Sequence, residues 1–224
     1  MSKLHFILSL AVLVMPSSVL AQSQDHAAPP TPPFVTAMPD NSTWTIDFKI
    51  SAVPANGPAG GRSVSGYVTS KSGLNRAIVS TWTDGSTSAI WFWDGYRLEQ
   101  KPGKAEVLVT RLPGGHDFQN ADFPDLNWLQ KKNYVGRENH GGHDCFHFKT
   151  QIRDEVVHIL VDYSAFIDVK TKRPVAWDEN SNHFELASFA IRKADDPLSL
   201  PEPFATQLKA YRLAARELDP YKKQ

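Results

Sequence analysis

Residues 140 to 148, HGGHDCFHF, gather three histidines and the chain's only cysteine around two glycines. Imidazole nitrogen and thiolate sulfur are the ligands that zinc prefers. Gly141-Gly142 suits a two-residue hairpin turn, whose central residues both need positive φ. That turn sets His140 opposite His143, Glu138 opposite Cys145 and Gly136 opposite His147, all on one side of the ribbon. Val135, Arg137, Phe146 and Phe148 take the other side. The phenylalanines belong to the core, so the histidines are expected to face away from it. Directly opposed residues have Cβ atoms ~5 Å apart, which lets His140 and His143 share an ion with Cys145 or Glu138. His147 lies two pleats from His143, too far to join them. Such an ion would sit on an open ribbon, without outer groups to orient its ligands. Cysteine in a strand is more often a small buried residue. The expectation is a polar hairpin face with no metal.

A second group of polar residues lies in GGHDFQNADFPD, residues 114 to 125. His116, Asp117, Asp122 and Asp125 there offer carboxylates for Ca²⁺ or for acid-base work. Their spacing matches no EF-hand loop, and Asp commonly caps turns and helices. The sequence has no G-x-S-x-G elbow, H-E-x-x-H, C-x-x-C, P-loop or dinucleotide fingerprint. No catalytic residue, metal ligand or cofactor is assigned on these grounds. A hydrolase using His116 and Asp122 is kept as a minor alternative.

The elements that position these residues follow a leader. Lys3, the apolar run HFILSLAVLVM and the small residues ending at Ala21 have the form of a secretory signal cleaved after Ala21. The run is short for a bilayer span. A periplasmic or secreted location is expected, with no membrane span. Cleavage leaves about 200 residues, ordinary for one domain. Formal charge is zero over the full chain, which argues against nucleic acid as a partner. One cysteine excludes an internal disulfide. Residues 22 to 42 carry five prolines and read as an extended or flexible leader.

From residue 43 the chain reads as strands and turns. Trp44, Ile46, Phe48 and Ile50 alternate with polar residues, the period of a half-buried strand. Asp84-Gly85 suits a primed hairpin turn, which sets Trp82 opposite Thr87 and Ile78 opposite Trp91, with Trp93 on the same face. Val79, Ile90, Ala77 and Phe92 then share the reverse face. With both faces partly apolar, the sheet is either covered on two sides or hollow on one. One helical turn is expected near Leu126 to Gln130. The one clear helix spans 203 to 218, with Leu208, Tyr211, Ala215 and Leu218 as its inward stripe and Lys209, Arg212 and Arg216 outward. The absence of strand-helix alternation argues against a parallel α/β sheet. The fold class is α+β and mainly antiparallel β: a strongly curved sheet with a C-terminal helix packed on it.

Four phrases, STWTDGSTSAIWFWDGYRLE, DFPDLNWLQKKNYVG, GGHDCFHFK and SAFIDVKTKRPVAWDE, resemble bacterial exported proteins of the LolA-like superfamily, the periplasmic lipoprotein carriers and their sorting relatives. IDVKTKRPV resembles the hairpin that joins two strands of their half-barrel. The resemblance covers roughly residues 43 to 200 and implies an incomplete barrel whose apolar concave face carries acyl chains. Carriers close that hollow with helical lids, where this chain has one clear helix. The expected function is a non-enzymatic, monomeric periplasmic protein that shelters a lipid, an acyl chain or a lipidated protein. Trp44, Phe48, Ile78, Trp82, Trp91 and Trp93 are the candidate lining. A protein-docking module on the same scaffold is the alternative.

Overall fold

The computed structural model describes residues 28–50, 63–112, 122–153 and 158–217. The signal sequence, His116 and Asp117 lie outside the described residues. Eleven strands form one antiparallel sheet: β1 (Ser42–Ile50), β2 (Val64–Ser72), β3 (Asn75–Trp82), β4 (Thr87–Trp93), β5 (Tyr96–Gln100), β6 (Val107–Arg111), β7 (Tyr134–His140), β8 (His143–Arg153), β9 (Leu160–Asp168), β10 (Pro174–Glu179) and β11 (Asn182–Ile191). Their order is β6-β5-β4-β3-β2-β1-β11-β10-β9-β8-β7. Two meanders, β1 to β6 and β7 to β11, are thus joined where β1 pairs with β11. The sheet is curved and open, with β6 and β7 as its edges, and α1 (Glu202–Glu217) closes the described chain. The expected architecture is the observed one.

Turn chemistry sets the registers. Gly141 and Gly142 both have positive φ, and His140 pairs with His143 as the two-residue turn requires. Asp94 and Gly95 behave alike, and Trp93 pairs with Tyr96. Asp168 organises the hairpin from β9 to β10 by accepting from the Thr171 amide and hydroxyl.

The Asp84-Gly85 hairpin differs from expectation. Only Gly85 has positive φ, the Gly85 amide donates to Trp82 O, and the Trp82 amide donates to Ser86 O. The loop is therefore three residues long, a tight turn followed by a left-handed glycine. Thr81 pairs with Thr87 and Ala77 with Trp91, one residue away from the expected register. Because strand side chains alternate, that step moves Trp91 and Trp93 to the face opposite Ile78 and Trp82.

Both faces are covered, each over a different part of the sheet. On the face of Trp44 and Ile46, residues 34–38 and 123–129 pack against β1, β8, β9, β10 and β11. On the opposite face α1 packs over β3 to β6, with Phe204 and Leu208 against Trp91, Leu98 and Val107. The inward stripe of α1 therefore begins at Phe204, while Tyr211 and Ala215 are exposed. Arg212, expected to face out, lies over the Tyr96 ring and pairs with Asp94. The region expected to hold a helical turn contains two single 3-10 turns, Pro124–Leu126 and Lys131–Asn133.

Candidate functional site

The largest apolar assembly lies under the two loop segments, which we call the cover. Trp44 and Ile46 reach it from β1 because alternate residues of a strand share a face. Phe48 follows and meets Phe184 of β11, with ring centroids 4.9 Å apart. Trp177 of β10 stacks flat on Phe184 at 5.2 Å. Phe123, from the cover, sits between Trp44 and Trp177, with ring centroids 6.2 and 6.0 Å away. From the other side of the cover Phe34 meets Phe148 edge-on at 5.4 Å.

Asp122 fastens the cover. Its side chain is 4% exposed and pairs with Arg76 and with Lys71, the latter at 3.4 Å. It also accepts the Met38 amide at 2.7 Å, so one carboxylate ties both cover segments to β2 and β3. Burial lowers the Arg76 pKa and the Asp122 charge opposes that fall. Lys172 adds a second tie by donating to the Thr31 and Pro33 carbonyls. The far end of the proline-rich stretch is thereby part of the packed domain, with Met38 buried.

Two features of this interior are chemically suggestive. The Nε1 donors of Trp44 and Trp177 are buried, and among the described residues neither finds an acceptor. A buried donor left unpaired costs about 1–3 kcal/mol. Between the two cover segments lies a cleft of about 270 Å³, lined by Phe34–Ala37 on one side and by Asp122, Phe123, Leu126 and Leu129 on the other. Small-molecule sites usually hold about 300–1,000 Å³. Nearby, burial and the Asp125 charge raise the Tyr67 phenol pKa. Asp125 remains exposed on one side, yet desolvation and Glu179 raise its carboxyl pKa.

The six expected lining residues separate into two groups. Trp44, Phe48, Ile78 and Trp82 share the covered face, by the pairings of Trp44 with Thr69 and of Thr69 with Ile78. Trp82 Nε1 donates to Ser88 there. Trp91 and Trp93 are on the opposite face under α1, with Trp91 5.8 Å from Phe204. Sequence reasoning missed Trp177, Phe184 and Phe123. Trp177 had a usable signal, since Val175, Ala176 and Trp177 form a short apolar run directly after Pro174.

The histidine face has the expected register but is not an open polar ribbon. It carries its own small cluster of Cys145, Phe166 and Ala176. His140 stacks on Phe166 at 3.9 Å, while His143 turns to Asp168 at 3.3 Å. The opposed pair therefore takes separate partners. Among the described residues no group of three His, Cys, Asp or Glu side chains is arranged to hold a metal. No helix among them is long and apolar enough to cross a membrane.

No family model and no curated protein matches the sequence. Among solved structures, the chain is similar to the crystal structure of MucB in complex with MucA(peri), with a TM-score of 0.31 and 16% identity. The match covers 72% of this chain and 54% of that one, so it spans about half of the MucB chain's length. A likeness that faint assigns neither family nor function.

Proposed function

We propose that this chain is an exported protein that binds an apolar ligand, a lipid or the acyl chain of a lipidated protein, beneath the cover on the Trp44 face. The observation that supports this is the placement of Phe123. A side chain from a loop, rather than from the sheet, lies between Trp44 and Trp177, and among the described residues neither indole donor finds an acceptor in that interior. Moving Phe123 aside frees a slot walled by aromatic rings. An entering alkyl chain gains about 0.8 kcal/mol per buried CH₂, and a carbonyl or carboxylate oxygen on it would accept from an indole. The cover consists of loop segments tied to the sheet by Asp122 and Lys172, so it can move while β1 and β8 to β11 stay paired.

Titration with a dansylated fatty acid, following Trp emission, tests this reading. Wild type should bind and shift its emission. Phe123→Ala, which vacates the slot in advance, should bind several-fold more tightly, and Trp177→Phe, which removes one donor, more weakly. No emission shift with fatty acid, phospholipid or lipopeptide, in wild type and in Phe123→Ala alike, would leave the cover as plain core. A docking role for the scaffold would then take its place.

A further inference from the structure

The face opposite the cover carries an arrangement that the binding reading does not use. We propose that Ser164, His147 and Glu138 form a serine-nucleophile site that hydrolyses small carboxylic esters. The three residues lie on adjacent strands β9, β8 and β7. Ser164 Oγ is 3.1 Å from His147 Nε2, and His147 Nδ1 is 3.2 Å from Glu138 Oε1.

The direction of these hydrogen bonds follows from donor chemistry. An ionised carboxylate only accepts. His147 must therefore donate from Nδ1 to Glu138, which leaves Nε2 of the neutral ring as an acceptor. Ser164 then donates its hydroxyl proton to Nε2. Nucleophile, base and orienting carboxylate are thus in the order that acyl transfer needs. Burial lowers the His147 pKa, with Glu138 opposing, so the ring is a free base at neutral pH.

Packing holds the base in place. His147 is 5% exposed and stacks on its cross-strand partner Phe166, with centroids 4.4 Å apart. His140 stacks on the same ring at 3.9 Å. Two rings cannot stack on one side of a third at these distances, so Phe166 is held between the two imidazoles. Gly136 stands directly opposite His147, and a Cβ built there would meet nothing within 4 Å. Glu138 therefore reaches His147 diagonally past a position with no side chain.

The nucleophile is accessible although the base is not. Ser164 opens onto a groove of about 460 Å³ shared with Lys149, Gln151, Asp162, Tyr163 and Asp178. That volume lies within the ordinary small-ligand range of about 300–1,000 Å³. Lys149 is the direct cross-strand partner of Ser164 and is close enough for its charge to act on His147. It supplies positive charge for a developing oxyanion, which the strand amides, engaged in the ladder, do not. Gln151 donates to Asp162, and Asp178 pairs with His183, so the acidic wall is already partnered.

The reaction runs through an acyl-enzyme. Ser164 Oγ bonds to the ester carbonyl carbon while its proton passes to His147 Nε2. The carbon–oxygen bond to the alcohol breaks, and the alcohol leaves with that proton. Water then gives a proton to His147 and attacks the Ser164 ester, which releases the acid and restores the hydroxyl.

The test combines labelling and kinetics on the whole protein. A fluorophosphonate should form a single adduct that peptide mass spectrometry locates at Ser164. p-Nitrophenyl acetate should be hydrolysed by wild type, and Ser164→Ala should lose about 100-fold or more of that rate with its thermal midpoint unchanged. Glu138 is a positioning residue. Glu138→Gln should lower kcat with KM held, and should move the pH–rate midpoint to lower pH because it removes the charge that favours the imidazolium. The other titratable groups around His147, namely His140 on β7, Cys145 and Lys149 on β8 and Asp168 on β9, stay in place in that variant. Absence of an adduct at Ser164, or equal hydrolysis by wild type and Ser164→Ala, would overturn the assignment. None of these outcomes depends on whether a lipid enters beneath the cover.

Discussion

Cys145 illustrates how one side chain can be legible in type and still need the structure for its chemistry. A strand cysteine reads as a small buried residue, and Cys145 is fully buried. Burial first, then the charges of Asp168, Asp144 and Glu138, push its thiol up to about 11. The folded state therefore prefers the neutral thiol. Its contribution to stability is fully present below the unfolded value of ~8.5 and is lost as pH rises from there through about 11. Native protein at pH 8 should not react with Ellman's reagent, while the denatured chain should release one equivalent. Denaturant midpoints taken from pH 8 to 11 should fall, and Cys145→Ala should remove part of that slope. Rapid native labelling at pH 8 would contradict the burial. The residues beside it were less legible. Ser164, His147 and Glu138 come from three strands, and only the register from β8 to β9, in which Lys149 pairs with Ser164 and His147 with Phe166, brings the serine to the histidine. Phe123 escaped notice for a related reason. DFPD reads as a turn, and nothing local says that its ring reaches between two tryptophans.

The strands and helix themselves were readable wherever local chemistry decides them. Gly141-Gly142 fixed a register that holds residue by residue from His140 and His143 to Gly136 and His147. Asp84-Gly85 misled because the same dipeptide serves two- and three-residue loops, and the choice lies in the φ of Asp84 rather than in its name. One step of register then divided four tryptophan and isoleucine positions between two faces. A close approach inside the sheet is equally invisible in the sequence. Gly66, beside the irregularity in the pairing of β2 with β3, would place a Cβ 2.9 Å from the Ile46 carbonyl oxygen of β1. That obstacle is backbone and cannot swing aside. Gly66→Ala should destabilise the domain by ~1–3 kcal/mol, the usual cost of overpacking, as measured by urea denaturation. Gly136→Ala, which meets nothing, should cost distinctly less on the same assay. Equal costs would mean that β1 and β2 do not approach this closely.

Alternation and turns predict neighbours within each meander, but they do not say that β11 returns to pair with β1. That pairing is what makes a single sheet, with the loops covering β1 and β8 to β11 on one face and α1 covering β3 to β6 on the other. The consequence is a molecule with two cores that touch few of the same side chains. One comprises Trp44, Phe123, Phe148 and Trp177 under the loops; the other comprises Trp91, Leu98, Val107 and Phe204 under α1. Phe204→Ala should then act on one half. Truncating a buried phenylalanine costs ~3–5 kcal/mol when the surroundings do not collapse, and here the loss falls where α1 meets β4, β5 and β6. β6 is a five-residue edge strand with Leu108 exposed, so little else holds it. Site-resolved hydrogen exchange reads the outcome, because amides report local opening as well as global unfolding. Amides of Val107–Arg111 and Tyr96–Gln100 should lose protection first, while those of Phe146, Phe148, Ala165 and Trp177 keep theirs. Phe148→Ala should give the opposite pattern. The double variant should show additive destabilisation within about 0.3–0.5 kcal/mol, as expected for sites without shared partners. If Phe204→Ala instead stripped protection evenly from β1 to β11, the sheet would be one cooperative body and α1 part of the same core as the cover.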